Sequence, residues 1–461
     1  MSQIGYAEVT TGQRNRRRTD ATVCSSVSSA ANLASTSGMR LYNTQSANVE
    51  RFQASDRPLS LYVCGITPYD TTHLGHAFTY AVADVLVRHL ESQGAVVRYV
   101  QNVTDIDDDI LRKATEVGED WRAVGNRWTA HFINDMQRLN IRPPDHFPRA
   151  SDFIRDIVAA VGALIERGLA YVSGGSVYYA VGAWPTFGRL SQLPRPAMQA
   201  LAEERGNRPD DPHKRDSLDF VLWQAQAPGE PAWPSPWGPG RPGWHIECSV
   251  MSTHLLGPML DLHAGGSDLI FPHHECEIAQ SEPLTGRAPF VRCWLHVAMV
   301  EHVGAKMSKS LGNLVMVDDL LQQWSADALR VYLGRHHYRR RWAHDRDALA
   351  QADRLATKLR AAVELAGGRG DTLDATSAQA EFTTALNDDL DTPAALSRLE
   401  SLADTIVVAT ESGHSVTSAQ AVLRRLAKVF GLVLDTPEVE ARVTDGWSAH
   451  LARFSPSSAK P

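Results

Sequence analysis

The chain has 461 residues, enough for about two to four structural units. Hydrophobic residues make up 43% and charged residues 21%, as in an ordinary globular protein. The net charge of -7 excludes a surface that is basic throughout, so nucleic-acid contact would need a local basic patch. No apolar run reaches about 18 residues, so no membrane span is expected. The five cysteines are odd in number and widely spaced, which favours reduced thiols in a cytoplasmic protein over disulfides.

The first 38 residues are rich in Ser, Thr and Ala and contain RNRRR at 14–18. No apolar core follows that cluster, so a secretory signal is not expected. Three interpretations remain: a disordered tail, translation from a start upstream of the true one at Met39, or an organellar transit peptide.

A strand–helix–strand unit follows. LSLYVCGI at 59–66 predicts a buried strand, residues 73–94 predict an amphipathic helix that ends at Gly94, and 95–105 predict a second strand. The first turn is short, so the unit indicates a parallel sheet with a right-handed crossover. The sequence therefore predicts an α/β fold with a Rossmann-type catalytic domain.

The rest of the chain divides by composition. The pattern is helical at 115–170, irregular and rich in Pro, Gly and Trp at 171–243, mixed at 244–303 and helical from 345 to about 432. We predict a catalytic domain at 39–305 with a connective insertion at about 120–235, a lysine-loop region at 306–345, an α-helical C-terminal domain at 346–435 and a flexible tail at 436–461.

Two motifs suit a nucleotide. HLGH at 73–76 opens the first helix, whose N-terminus offers free N–H groups to an anion. Gly75 would let adenine or ribose approach the backbone, and His73 and His76 can donate to phosphate oxygens. KMSKS lies in a glycine-punctuated loop, where Lys306 and Lys309 can reach a triphosphate as pyrophosphate leaves. Surface histidines and a solvated lysine loop are the simpler explanations of each string alone.

Four side chains could hold a metal ion. Cys64 ends the first strand, Cys248 follows GWHIE, and FPHHECE places His273 and Glu277 on one helix face. Two thiolates, an imidazole and a carboxylate suit zinc. Buried cysteines without metal remain an alternative, because no pair has C-x-x-C spacing. Cys276 would face away from this set.

Longer segments carry a family resemblance over about 39–345. YVCGITPYDTTHLGHA, YVQNVTDIDDDIL, GWHIECS, GGSDLIFPHHECEIAQSE and KMSKSLGN resemble the cysteinyl-tRNA synthetases and their relatives, the cysteine ligases of mycothiol synthesis, within the class I aminoacyl-tRNA synthetases. The resemblance implies ATP-dependent activation of L-cysteine, Mg²⁺ with the ATP, and one Zn²⁺ per chain on Cys64, Cys248, His273 and Glu277. It also implies adenylate contacts from HLGH, KMSKS and a further set of residues: Thr67, Thr79, Asn102, Thr104, Trp244, Gly266, Ser267 and Asp268.

The acceptor of the cysteine is less constrained by sequence. A tRNA(Cys) acceptor is favoured by Glu277 and by the basic, aromatic segment RHHYRRRW at 335–342. Residues 346–461 carry 12 Lys plus Arg against 16 Asp plus Glu, the wrong sign for phosphate binding. That balance, GITPYD, and EERGNRP at 203–209 favour an aminosugar, glucosaminyl-inositol. A non-catalytic paralogue is a third hypothesis, opposed by the intact motifs. We expect a monomer.

Overall fold

The computed structural model describes residues 38–53, 58–70, 72–307, 312–434 and 445–454. The expectations for residues 1–37 and for Lys309 therefore lie outside the described residues. The strands are β1 Arg40–Asn43, β2 Asn48–Arg51, β3 Leu59–Ile66, β4 Val97–Val103, β5 Ala170–Ser173, β6 Ser176–Tyr179, β7 Phe220–Ala225, β8 Gly240–Pro242, β9 Leu260–Gly266, β10 Val291–Val297, β11 Val300–His302, β12 Ala305–Lys306 and β13 Trp342–Ala343.

The helices follow in the same order. They are α1 Leu74–Ser92, α2 Asp108–Val117, α3 Trp121–Arg138, α4 Ile154–Glu166, α5 Arg195–Glu204, α6 Trp244–Leu256, α7 Glu275–Thr285, α8 Val317–Leu321, α9 Ala326–Gly334, α10 Arg346–Glu364, α11 Thr376–Asn387, α12 Thr392–Glu411, α13 Thr417–Val429 and α14 Asp445–Leu451. None of these helices combines the length and the apolar character needed to cross a bilayer.

A parallel sheet lies at the centre, with strand order β10-β9-β3-β4. Its strands are almost wholly buried. This burial is expected, because helices cover both faces of a parallel sheet and its strands are therefore continuous apolar runs. Helix α1 makes the crossover from β3 to β4. The predicted Rossmann-type α/β fold with a C-terminal helical region is therefore confirmed.

The insertion holds a second sheet where the sequence indicated irregular structure. Strands β5 to β8 form an antiparallel sheet in chain order, against which α4 packs. The sequence interpretation was wrong because these strands are only three to six residues long. Alternation over so few residues is a weak signal, and the buried Tyr179 in β6 is far along the chain from its core partners Phe220 and Trp223 in β7.

Part of the expected flexible tail is ordered in the structure. Residues 445–454 form α14 and a final 3₁₀ turn. Trp447 is 1% exposed, and its Nε1 donates to the Ile141 carbonyl oxygen at 2.8 Å. The segment contacts the chain that follows α3, with Arg453 donating to Asp152. The expectation was wrong for these residues because Trp447 and Phe454 are both buried in the hydrophobic core.

A buried ion pair joins α1 to the helical region. Asp84 in α1 is bonded to Arg330 in α9, and Arg88 donates from Nε to both of its oxygens at 2.9 Å. Burial would raise the pKa of Asp84, but Arg88 and Arg330 hold it below its usual value. Arg330 also donates to the Phe430 carbonyl oxygen, at the end of α13, at 2.6 Å. The helix that opens with HLGH is thus bonded to the far end of the helical region.

We expect Asp84→Asn to lower the free energy of unfolding by about 3–5 kcal/mol, because it leaves the Arg330 guanidinium buried without its counter-charge. Urea unfolding at pH 7.5 measures the change. Asp404→Asn is the matched control, since Asp404 forms a partly exposed pair with Lys358 whose loss should cost less than about 1 kcal/mol. Equal losses in the two variants would contradict the assigned role of the buried pair.

Candidate active site and metal centre

The HLGH sequence forms the N-terminus of α1. His73 is the N-cap, and its Nδ1 accepts a hydrogen bond from the Gly75 amide at 3.1 Å. The His76 Nδ1 accepts from the His73 amide at 3.4 Å, and the two rings stack with centroids 3.8 Å apart. Both histidines are partly exposed at the positive end of a helix of 19 residues. This arrangement suits an anion such as a phosphate.

The chain that follows KMSKS is hydrogen-bonded to the chain that enters HLGH. The Leu74 amide donates to the Val315 carbonyl oxygen at 2.8 Å, and the Val317 amide donates to that of Thr72 at 3.0 Å. The backbone of Lys306 lies in β12, opposite Glu301 of the antiparallel strand β11. The Lys306 side chain is outside the described part of the structure. Backbone bonds therefore hold the chain at 315–317 beside the start of α1.

The four predicted metal ligands come together, although up to 213 residues separate them. Their ligand atoms all lie within 4.8 Å of one another, and all four residues are buried. Cys64 comes from β3, Cys248 from α6, His273 from the segment Ile270–His274 and Glu277 from α7. This donor set fits zinc by number, by spacing and by its two sulfur atoms.

The electrostatics of this cluster favour a cation. Burial would raise the pKa of Cys248, but the Cys64 thiol and His273 lower it to about 6, whereas burial raises the pKa of Cys64 above its usual value. Burial would likewise raise the pKa of Glu277, but His263 and His273 lower it to about 2. A thiolate and a carboxylate therefore meet in a water-excluded site, where uncompensated anions are costly.

A second set of donors shares this site. Cys64 and Glu277 also lie within 4.8 Å of His263 and His274. The His274 Nε2 is 3.3 Å from the Cys64 sulfur, and its Nδ1 is 2.7 Å from the Nε2 of His296. The two sets share Cys64 and Glu277, and only the predicted set offers two sulfurs. The sequence interpretation missed these three histidines; the HH doublet of FPHHECE was the available signal.

The predicted adenylate residues differ in exposure. Thr67 lies partly exposed just after β3, and the partly exposed Thr79 donates to the Gly75 carbonyl oxygen at 3.2 Å. Asn102 and Thr104 are buried and bonded to each other at 3.2 Å. The Asn102 Oδ1 also accepts from the Gly65 amide at 2.8 Å. Asn102 thus holds the backbone at Gly65, the residue that follows the predicted metal ligand Cys64.

The remaining predicted residues lie at the start of α6 and at the end of β9. Trp244 begins α6 and stacks on His273 with ring centroids 4.3 Å apart. It lines a cavity of about 300 Å³ between the insertion and the central sheet. Gly266 ends β9, and Ser267 and Asp268 form the turn that follows it. The site thus lies beyond the carboxyl ends of the parallel strands, where open α/β sheets bind ligands.

Known proteins share both the sequence and the fold. The model of the tRNA synthetases class I (C) catalytic domain matches residues 51–354, and that of the DALR domain matches 381–435. The chain belongs to the class I tRNA synthetase family. The catalytic-domain match includes both HLGH at 73–76 and KMSKS at 306–310.

Two curated relatives of this synthetase family carry different names. A cysteine–tRNA ligase of Alkalilimnicola ehrlichii is 44% identical over 408 residues, which cover 87% of each chain. An L-cysteine:1D-myo-inositol 2-amino-2-deoxy-alpha-D-glucopyranoside ligase of Parafrankia is 46% identical over 363 residues, 78% of this chain and 81% of the relative. The Mycobacterium tuberculosis methionyl-tRNA synthetase, in complex with methionyl-adenylate, matches in fold with a TM-score of 0.57 at 16% identity, over 86% and 91% of the two chains.

We expect Cys248→Ser to lower zinc affinity by more than about 100-fold, because loss of a direct ligand should exceed the effect of losing an outer-shell partner. Zinc content after dialysis against a weak chelator measures it. Cys276→Ser is the control: Cys276 is also buried but packs among apolar residues and belongs to neither donor set. Full zinc content in Cys248→Ser would contradict the assignment of this ligand.

A buried carboxylate in α3, that of Asp135, lies next to Thr72, the residue just before HLGH. Asp135 in α3 is fully buried, with an oxygen 3.2 Å from the Nδ1 of His131. Burial raises the pKa of Asp135 to about 6, against the opposing effects of His131 and the Thr72 hydroxyl. Asp318, which is paired with Arg138, raises it further. The folded protein therefore holds this proton more tightly than the unfolded chain, so the group lowers stability as pH rises from about 4 through 6.

We expect Asp135→Asn to be more stable than the parent chain by about 2 kcal/mol at pH 7.5, because the amide removes the cost of a buried charge. This gain should shrink as pH falls from 7 to 5, where the parent carboxyl becomes protonated. Thermal unfolding across that range measures it. A variant that is less stable than the parent at pH 7.5 would contradict the assignment.

Proposed function

We propose that this protein activates L-cysteine with ATP to form cysteinyl-adenylate and transfers the cysteine to tRNA(Cys). The observation that carries the proposal is the convergence of Cys64, Cys248, His273 and Glu277 beside Trp244. A pocket with two sulfur ligands suits an amino acid that ends in a thiol. The names of the relatives at 44% and 46% identity agree on cysteine.

Zinc is the ion that we propose for the four ligands. Bound there, it would supply a soft Lewis acid for the thiol of the amino acid. Cys248 and Glu277 contribute the negative charge, and Trp244 walls the side of the pocket next to His273. Serine and alanine offer no thiol, and a site built for a specific polar partner rejects such analogues by about 10⁴-fold or more. An editing domain is then unnecessary.

The ATP site that we propose is formed by the two signature sequences. His73, His76 and the N-terminus of α1 would bind phosphate oxygens, with Mg²⁺ accompanying the nucleotide. Lys306 and Lys309 would stabilise the charge that develops as the carboxylate of cysteine displaces pyrophosphate. Holding the reactants in line is the main contribution of such a site. Backbone bonds from Leu74 to Val315 and from Val317 to Thr72 support this assignment, because they hold the chain after KMSKS beside the chain that enters HLGH.

The tRNA acceptor is supported by the DALR match at 381–435 and by one basic surface. Arg340 and Arg341 are exposed in the segment between α9 and β13. Arg339 in the same segment is paired with Asp389 and lies 4.7 Å over the ring of Tyr42. A paired arginine fixes the segment, and its exposed neighbours can contact phosphates. We propose that the protein acts as a monomer in the cytoplasm.

An aminosugar is the second acceptor that specific observations favour. The 46% identical relative is named for joining L-cysteine to such a sugar. The acidic balance of residues 346–461 and the GITPYD sequence also favour this alternative. The cavity beside Trp244 contains paired charges from Arg241, Glu230 and Asp108, which suit a small polar molecule. Activation of cysteine is the same step for both acceptors.

Two measurements test the function. Cysteine-dependent pyrophosphate–ATP exchange should be present, and exchange with serine should be about 10⁴-fold lower. Purified tRNA should then yield an alkali-labile cysteinyl ester, whereas glucosaminyl-inositol would yield an alkali-stable amide. Formation of the amide without the ester would show that the acceptor is the aminosugar and not tRNA. If no exchange occurs with zinc and Mg²⁺ present, both the tRNA and the aminosugar hypotheses are contradicted, and the non-catalytic paralogue is favoured.

A further inference from the structure

Arg205 connects the insertion to the edge of the central sheet. It caps the C-terminal end of α5, and its Nη2 lies 2.7 Å from the Oδ2 of Asp268. The Arg205 and Asp268 side chains are 30% and 25% exposed. Arg205 also lines the cavity beside Trp244. A guanidinium from one structural unit therefore reaches a carboxylate beside the metal ligands of another.

Asp268 is restrained from two sides. A Cβ atom at position 266 would lie 2.5 Å from the Asp268 Oδ1. This oxygen can approach the backbone so closely only because residue 266 is a glycine. Arg205 holds the other oxygen. Because a charged hydrogen bond to a planar guanidinium is directional, Arg205 limits the rotation of the carboxylate.

The insertion is itself fixed to the segment that follows Asp268. The buried Glu275 carboxylate accepts hydrogen bonds from the amides of Gly188, Leu190 and Ser191 at 2.8, 3.0 and 2.9 Å. Arg189 forms an ion pair with Glu282 in α7 at 2.9 Å. These bonds place the insertion next to the helix that carries Glu277, so Arg205 meets Asp268 in a preset position.

We propose that Arg205 is a positioning residue for recognition of the substrate's amino group, because it holds the Asp268 carboxylate where an ammonium ion binds. The inference rests on the proposed function: Asp268 belongs to the residues that the family resemblance implies at the cysteinyl-adenylate, and we assign its carboxylate to the ammonium of the cysteine. A carboxylate accepts hydrogen bonds through both oxygens, so one group can serve a guanidinium and an ammonium together. The insertion then contributes to amino-acid selection through a residue that does not touch the substrate's thiol.

The test compares cysteine with 3-mercaptopropionate, which keeps the thiol and the carboxylate but lacks the amino group. In pyrophosphate–ATP exchange, Arg205→Ala should raise the KM for cysteine about fivefold, the upper range for a partly exposed ion pair. The KM for ATP and the inhibition constant of 3-mercaptopropionate should change less than about twofold. In an Asp268→Ala background, Arg205→Ala should have almost no further effect on cysteine, because the residue acts through Asp268.

Arg195→Ala is the matched control. Arg195 lies at the other end of α5 and pairs with Asp216 within the insertion, so its loss should leave the KM for cysteine unchanged. Equal weakening of cysteine and 3-mercaptopropionate by Arg205→Ala, or no effect on either, would overturn the inference while the proposed function stands. Absence of cysteine-dependent exchange in the parent chain would overturn both.

Discussion

The burial of negative charge at one end of a parallel sheet is the constraint on which this structure depends. Cys248 and Glu277 are fully buried, and each has a pKa that keeps it anionic near neutral pH. Such charges are tolerated in a protein interior only when positive groups surround them. His273 and His263 provide part of that compensation. A cation held by Cys64, Cys248, His273 and Glu277 would complete it.

The helix that opens with HLGH is the element through which distant parts of the chain meet. Its N-terminus is bonded to the chain after KMSKS, and its middle carries Asp84, which is paired with Arg330 beneath the helical region. A displacement of the C-terminal helices would therefore act on the helix that we propose for phosphate binding. The coupling is a chain of direct bonds, so binding at the helical region has a physical path to the proposed nucleotide site.

The two named relatives share the amino acid and differ in the acceptor. In the structure, the helix that opens with HLGH follows β3, the strand that carries the proposed metal ligand Cys64. Of the features that bear on the acceptor, the exposed Arg340 and Arg341 and the DALR segment lie in other elements, whereas the charged cavity shares Trp244 with the proposed amino-acid pocket.

The sequence by itself determined the parallel sheet, the crossover helix and the helical C-terminal region, because these are long periodic patterns that local residues specify. It also identified four candidate ligands, since FPHHECE and the strand-ending Cys64 are local features. Tertiary structure alone decided that these ligands meet, that His263 and His274 join them, and that Arg205 reaches Asp268. It also decided the short strands of the insertion and the docking of Trp447. The physical reason is the same in each case: these contacts join residues far apart in the chain, and no local period encodes them.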